Sequence, residues 1–266
     1  MSITWSAYKR ARRRSRQAWA ILGLAAVTVV AGLSWYFTTG QFSAAEPWAD
    51  GPSEAPVYNP GWMKPLRGGV RVAPEKASDA LERLPVKGRA AKSNYDRAAF
   101  GQAWADADRN GCDTRNDILR RDLSGVEFTE GSSCKVAGGS FHEPYTGAQV
   151  TFRRGQGTSA AVQIDHVVAL ADAWQKGAQQ LTVQQRQTFA NDPLNLIAVD
   201  GPANVKKGAG DAATWLPANK NFRCHYVARQ VSVKAAYKLW VTQAEKDSMK
   251  RVLSSCTEQQ TIYSAR

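Results

Sequence analysis

VQIDHVVAL, residues 162–170, and NDPLNLIAVDGPANVKKGAGD, residues 191–211, decide the fold. The first is a strand-like apolar run that carries Asp165 and His166 side by side. Neighbours on a strand point to opposite faces, so at a strand end this pair can straddle a bound ion and a substrate. The second holds another strand-like run, Leu194–Val199, with Asn195 on or beside it. Gly201-Pro202 then opens a helix that contains Asn204, nine residues after Asn195, and Lys207. Two strands and a helix, each giving a polar residue to one point, predict a compact ββα unit. His142 and His225 lack such company: the first precedes a turn beside Glu143, and the second is expected on a helix surface.

Outward from this unit, the spacing of Tyr95, Ala99, Phe100 and Trp104 predicts a helix over Tyr95–Asp108. Thr114 should start a second helix, with Asp117 as a partial capping box. Strand-like runs follow at Val126–Thr129, Cys134–Val136 and Gln149–Arg153, and Pro144–Gly147 marks a turn. Beyond residue 168 the text is helical at ALADAWQKGA and TVQQRQTFA, and again at Cys224–Leu239. A full capping box, Thr242 to Glu245, announces the last helix. The expectation is an α+β domain over residues 92–258, with a small antiparallel sheet, helices at both ends and a short tail at 259–266. Trp104, Trp174, Trp215 and Trp240 are assigned to the core. Asp106, Asp108, Asp113 and Asp117 loosely suggest a calcium loop, lack its distal Glu and are assigned to caps and solvated faces.

Ahead of the domain, AWAILGLAAVTVVAGLSWYF, Ala18 to Phe37, carries no charge. As a helix at ~1.5 Å per residue it would span the ~30 Å apolar core of a bilayer. Lys9, Arg10, Arg12, Arg13, Arg14 and Arg16 precede it, half of the net charge of +12. Positive charge stays on the cytoplasmic side, so residues 1–17 form a cytoplasmic tail, 18–40 a transmembrane anchor, and the rest is exported. Ser43-Ala44-Ala45 offers a cleavage site, which would make the protein secreted. Residues 41–91, with many Pro, Gly and Ala, are expected as an irregular linker.

Four cysteines, none in a C-x-x-C pair, argue against a zinc knuckle. In an exported chain they predict two disulfides, and the sequential pairing, Cys112–Cys134 and Cys224–Cys256, closes the shorter loops. The basic excess outside the tail suits a polyanionic partner.

Asp165-His166, Asn195 and Asn204 at these spacings resemble the HNH, or ββα-metal, endonucleases. The wider run resembles the branch related to the GmrSD-type C-terminal domain, and is similar to exported actinobacterial HNH proteins. Its landmarks here are Tyr95-Asp96-Arg97, Trp104–Asp108, Asn110–Asp117, Pro144–Gly147, Ile164–Leu170, Asn191–Leu196 and Ala198–Lys207. The resemblance implies that His166 is the general base and that Asn195 holds its imidazole. It implies Asp165 and Asn204 as ligands of a divalent ion, Mg²⁺ or Mn²⁺ before Zn²⁺ given the oxygen donors. Gly208 stands where some relatives carry another His ligand. Lys207, and after it Arg115, would meet the phosphate. The implied activity is hydrolysis of DNA, and of RNA by extension, with low sequence preference, outside the membrane and without a protein partner. The alternative is a non-catalytic cell-surface binding module on the same scaffold.

Overall fold

The computed structural model describes residues 72–262. The anchor expected over residues 18–40, the basic tail before it and the cleavage site at 43–45 lie outside the described residues. Among the described residues, no helix is long and apolar enough to cross a membrane.

A three-stranded antiparallel sheet has the order β1 (Ser124–Phe128), β2 (Val136–His142), β3 (Gln149–Arg153). A separate antiparallel hairpin joins β4 (Val162–His166) to β5 (Leu196–Asp200), with Ile164 opposite Ala198 and His166 opposite Leu196. The α+β class expected from the sequence is compatible with this arrangement. β3 spans the residues expected for it, whereas β2 starts where the predicted Cys134–Val136 run ends.

Helices frame both sheets. They are α1 (Ala77–Arg83), α2 (Thr114–Asp122), α3 (Leu170–Gln175), α4 (Val183–Asn191), α5 (Gly201–Lys207), α6 (Arg223–Ala236) and α7 (Gln243–Leu253). α2 is capped by Asp113, whose side chain accepts from Asn116 N–H, so the cap is one residue before the Thr114 expected to pair with Asp117. The Thr242–Glu245 box at α7 forms both of its hydrogen bonds.

The β4–β5 hairpin is covered on both sides, which explains its near-continuous apolar text. One face, with Val162, Ile164, Leu196 and Ala198, packs with Ile118 and Leu119 of α2 and with Phe141 and Phe152 of the larger sheet. The other face puts Ile197 and Val199 into the helical core with Tyr145, Ala203 and Tyr226. α5 follows β5 directly: Asp200 accepts from Ala203 N–H and Pro202 occupies the first turn. Gly201 sits so close to the backbone of Ala160 that an added Cβ would lie 2.2 Å from its carbonyl oxygen.

Three expectations change. Tyr95–Asp108 is not a helix but a single 3-10 turn, Arg97–Phe100, ended by Gly101 at φ +78°; Trp104 is also left-handed, at φ +58°. The stretch expected as linker up to residue 91 is packed from residue 72: Ala77, Ala80, Leu81 and Leu84 are buried in the helical core. The expected tail is tied to it, since Ala77 N–H donates to Gln259 O at 2.9 Å and Thr261 N–H to Glu75 O at 2.8 Å. Small apolar residues at helical spacing carry that packing, and a count of Pro and Gly hides them. Both disulfides have the sequential pairing.

Candidate active site

His166 closes β4, and two contacts fix its ring. Nε2 lies 2.9 Å from the carbonyl oxygen of Ala190, so Nε2 carries the proton and donates. The indole of Trp104 stacks on it, with centroids 6.2 Å apart and planes 19° from parallel. Nδ1 keeps its lone pair and makes no hydrogen bond within the described residues. Burial pulls the imidazole down to about 3, with the cations Arg97 and Lys207 acting in the same direction and the Ala190 bond opposing. The ring is therefore neutral at ordinary pH, and burial makes it a weaker base than a free imidazole.

A cleft of about 230 Å³ opens beside His166, lined among others by Arg97, Gln102, Trp104, Leu170 and Asn191. Two of these residues were missed as site residues in the sequence. Arg97 is exposed, and its guanidinium has no hydrogen-bond or ion-pair partner among the described residues. Asn191 is 2 % exposed; its amide donates to Gln102 O and Gln187 O, while its Oδ1 has no partner. Arg97 belongs to the Tyr95-Asp96-Arg97 landmark, which was a signal; Asn191 opens the Asn191–Leu196 one. Trp104, expected in the core, is half-buried against the core around β4 and also walls this cleft.

Asp165 looks the other way, as strand alternation requires. Its carboxylate accepts from Tyr145 OH at 2.5 Å and pairs with Lys207 Nζ at 2.9 Å. That ammonium, fully buried, also donates to the carbonyl oxygen of His166 at 2.8 Å. Lys207 is thus held inside rather than presented to a phosphate. Asn204 stands on the same side: its Nδ2 donates at 2.8 Å to Gln163 Oε1, and Gln163 shares a strand face with Asp165.

Asn195 does not touch the imidazole. Its Oδ1 accepts from Val168 N–H at 2.9 Å, its Nδ2 donates to Val168 O, and its own carbonyl accepts from Val167 N–H at 2.8 Å. The side chain clamps the two residues that follow His166 and so fixes the strand end. The neighbouring loop is held by Arg121 and the buried Arg229, which together donate to the carbonyls of Pro193, Leu194 and Leu196. Burial pulls Arg229 down to about 9, and Arg121 adds to that. Arg115 sits at the far end of β4, where Nη2 donates to Val162 O at 3.1 Å. His225, expected at a surface, is buried, stacks on Phe222 and is also lowered to about 3 by burial.

Asp165 and Asn204 carry oxygen donors of the kind a hard divalent cation takes, and both Asp165 oxygens are engaged by Tyr145 and Lys207. The Lys207 ammonium marks a point where a carboxylate and a backbone carbonyl already hold positive charge. Asn204 adds an amide oxygen from the same side. Among the described residues, no group of three or more His, Cys, Asp or Glu side chains could hold a metal ion. A cation here would rest on Asp165, Asn204, water and a phosphate.

The acidic residues of the 106–117 loop are used locally. Asp106 and Asp108 accept from Asn110 N–H, Asp106 also from Gly111 N–H, and the Asn110 amide donates to Asp108 and Asp117.

Comparison with known proteins completes the description. The family model for GmrSD restriction endonucleases, C-terminal domain, matches residues 113–252. An uncharacterized secreted protein of Arthroderma benhamiae is 37% identical over 182 residues, 68% of this chain and 84% of that protein. No solved structure matches.

Proposed function

The chain belongs to the family of GmrSD restriction endonuclease C-terminal domains, and from that premise we propose that it is an HNH endonuclease that hydrolyses phosphodiesters of DNA, and of RNA, outside the cytoplasmic membrane. One observation carries the reading: a neutral His166, its Nε2–H committed to the Ala190 carbonyl, presents an unoccupied Nδ1 beside a cleft that also holds an unpaired cation, Arg97.

Nδ1 takes the proton from an attacking water, and the negative charge of a bound phosphate would offset the burial and the cations that weaken it as a base. Asn195 keeps the backbone after His166 in place, and Ala190 keeps the tautomer. Arg97 offers charge-assisted hydrogen bonds to the phosphate oxygens. Asp165 and Asn204 would hold the divalent ion, Mg²⁺ or Mn²⁺ before Zn²⁺ with oxygen donors. When bound, the ion supplies electrostatic stabilisation of charge that develops on the phosphate.

The exported location rests on the apolar segment with its basic flank, on two disulfides and on the secreted relative. The segment over 18–40 would tether the domain to the membrane. The test is direct. The full chain, disulfides intact, is incubated with plasmid, single-stranded DNA and RNA in Mg²⁺, Mn²⁺, Zn²⁺ or EDTA. Cleavage with an ion and none in EDTA is expected; no cleavage under any ion removes the enzyme reading.

A further inference from the structure

Helix α5 lies along β4 in register. Asn204 and Lys207, three apart on the helix, meet Gln163 and Asp165, two apart on one face of the strand. One rung is the Lys207–Asp165 ion pair, and the other is the hydrogen bond from Asn204 Nδ2 to Gln163 Oε1 at 2.8 Å. The polarity of that second rung is set behind it. Gln163 Nε2 donates at 3.5 Å to the carbonyl oxygen of Ala160, which can only accept, so Oε1 is the end turned to Asn204. Reversing the glutamine amide would set two oxygens against each other. Gly201 lets the start of α5 close on this corner: a Cβ there would also lie 3.3 Å from Gln163 Nε2. An asparagine amide has one oxygen end and one NH2 end. With Nδ2 committed, the oxygen end of Asn204 is the free one, and Oδ1 makes no hydrogen bond among the described residues. Asn204 is half-buried, and its Oδ1 is not enclosed. Both Asp165 oxygens, by contrast, are already engaged.

We propose that Gln163 is a positioning residue for the divalent ion: it holds the Asn204 amide so that α5 offers the ion a lone pair rather than N–H donors. The assignment rests on the nuclease reading of the same site, in which Asn204 is a ligand, and adds to it a residue outside the Ile164–Leu170 landmark. An outer partner that fixes a ligand is worth ~10–100-fold in metal affinity. Glutamine suits the task because it is an acceptor toward Asn204 and a donor toward Ala160 at once. A lysine at this position would have donors only, and would turn Asn204 Oδ1 inward.

The experiment reads the ion without turnover. Mn²⁺ is titrated into the full chain, disulfides intact and no nucleic acid present, and free Mn²⁺ is followed by electron paramagnetic resonance. The site is the Mn²⁺ binding that Asn204→Ala removes. Gln163→Met keeps the length, lacks the acceptor and should weaken that binding at least ~10-fold. Gln163→Glu keeps an acceptor for Asn204 Nδ2 and should bind Mn²⁺ at least as tightly as the parent. Asn204→Asp makes orientation irrelevant, since both ends of a carboxylate are oxygens; in that background Gln163→Met should leave Mn²⁺ affinity unchanged. Equal Mn²⁺ binding by the parent and Gln163→Met overturns the proposal and leaves the cation reading intact. A loss of the same size with and without Asn204→Asp also overturns it, because the effect would then be structural. A parent with no Mn²⁺ binding that depends on Asn204 sinks the cation reading, and the proposal with it. One measurement needs no variant at position 163. In the ion-free parent, the Asn204 side-chain amide, assigned by its loss in Asn204→Asp, should exchange its bonded proton more slowly than a free amide in nuclear magnetic resonance; exchange at the free rate overturns the proposal.

Discussion

Two polar clusters of this domain face opposite fates. Between α3, α6 and α7 lies a set of six charges, five of them buried and the sixth, Arg89, exposed at its rim. Lys176 pairs with Asp172, Asp211 and Glu245 at 2.6 to 2.8 Å, Lys234 pairs with Asp172 and Glu245, and Arg89 reaches Asp172 and Asp211. Three cations meet three carboxylates, and each carboxylate meets at least two cations. At the end of β4, by contrast, the Nδ1 of His166 and the exposed guanidinium of Arg97 make no hydrogen bond or ion pair among the described residues. Saturation is what structure requires, since an uncompensated buried charge costs several kcal/mol. Unsaturation that survives folding is available to a substrate. The contrast assigns stability to the first cluster and chemistry to the second.

The largest expected effect lies on the chemical side. His166→Ala should lower the cleavage rate per folded molecule by ~10²–10⁴-fold, the range for a lost general base, beside a stability loss of about 1–3 kcal/mol for the buried Ala190 carbonyl left without its donor. A variant that cuts like the parent breaks the contrast at once, because the open cluster would then be idle.

Next comes the saturated side. Lys176→Met leaves three buried carboxylates against the buried Lys234 and the exposed Arg89, and should cost about 3–5 kcal/mol in urea denaturation. The rate per folded molecule should stay at the parental level. A loss below about 1 kcal/mol would mean that water reaches the cluster, and its closure would not be structural.

Acidity separates the two clusters without mutation. His166 and His225 are both lowered to about 3 by burial, against ~6.5 in an unfolded chain. Between these values the unfolded state binds the protons and the native state does not, so stability falls as pH drops from ~6.5 toward 3. In the closed cluster Asp211 is lowered, burial being outweighed by Lys176 and Arg89. A urea midpoint that is unchanged between pH 7 and pH 5 would show that neither imidazole is buried in its neutral form.

The sequence displayed the open cluster better than the closed one. Asp165-His166, Asn195 and Asn204 are visible because they interrupt apolar strands and a helix start at fixed spacings. The ββα unit follows from the same text, and so does the capping box at Thr242. What the text could not display is neutralisation. Asp172 and Lys176 stand four apart on α3 and look like an exposed ion pair; only α7, far along the chain, makes them interior. Arg97 and Trp104 were legible as residues but not as a cleft wall. The periodicity over Tyr95–Asp108 is helical, yet left-handed backbone at Gly101 and Trp104 breaks the helix and turns the indole onto the imidazole.

The smallest expected effect concerns a residue that the sequence placed on one side and the structure on the other. Arg115 was expected to meet a phosphate. It instead donates to backbone carbonyls at the start of β4, four residues before His166, or ~13 Å along a strand at ~3.3 Å per residue. Burial lowers its guanidinium, the mark of a group enclosed by protein. A phosphate contact would contribute about one unit to the slope of log affinity against log salt. Arg115→Ala should therefore cost about 1–2 kcal/mol of stability and leave the salt slope for single-stranded DNA unchanged, whereas Arg97→Ala should reduce that slope by about one. A reduced slope in Arg115→Ala would carry the open cluster across the whole length of β4, and the division between a saturated interior and an unsaturated strand end would fail there.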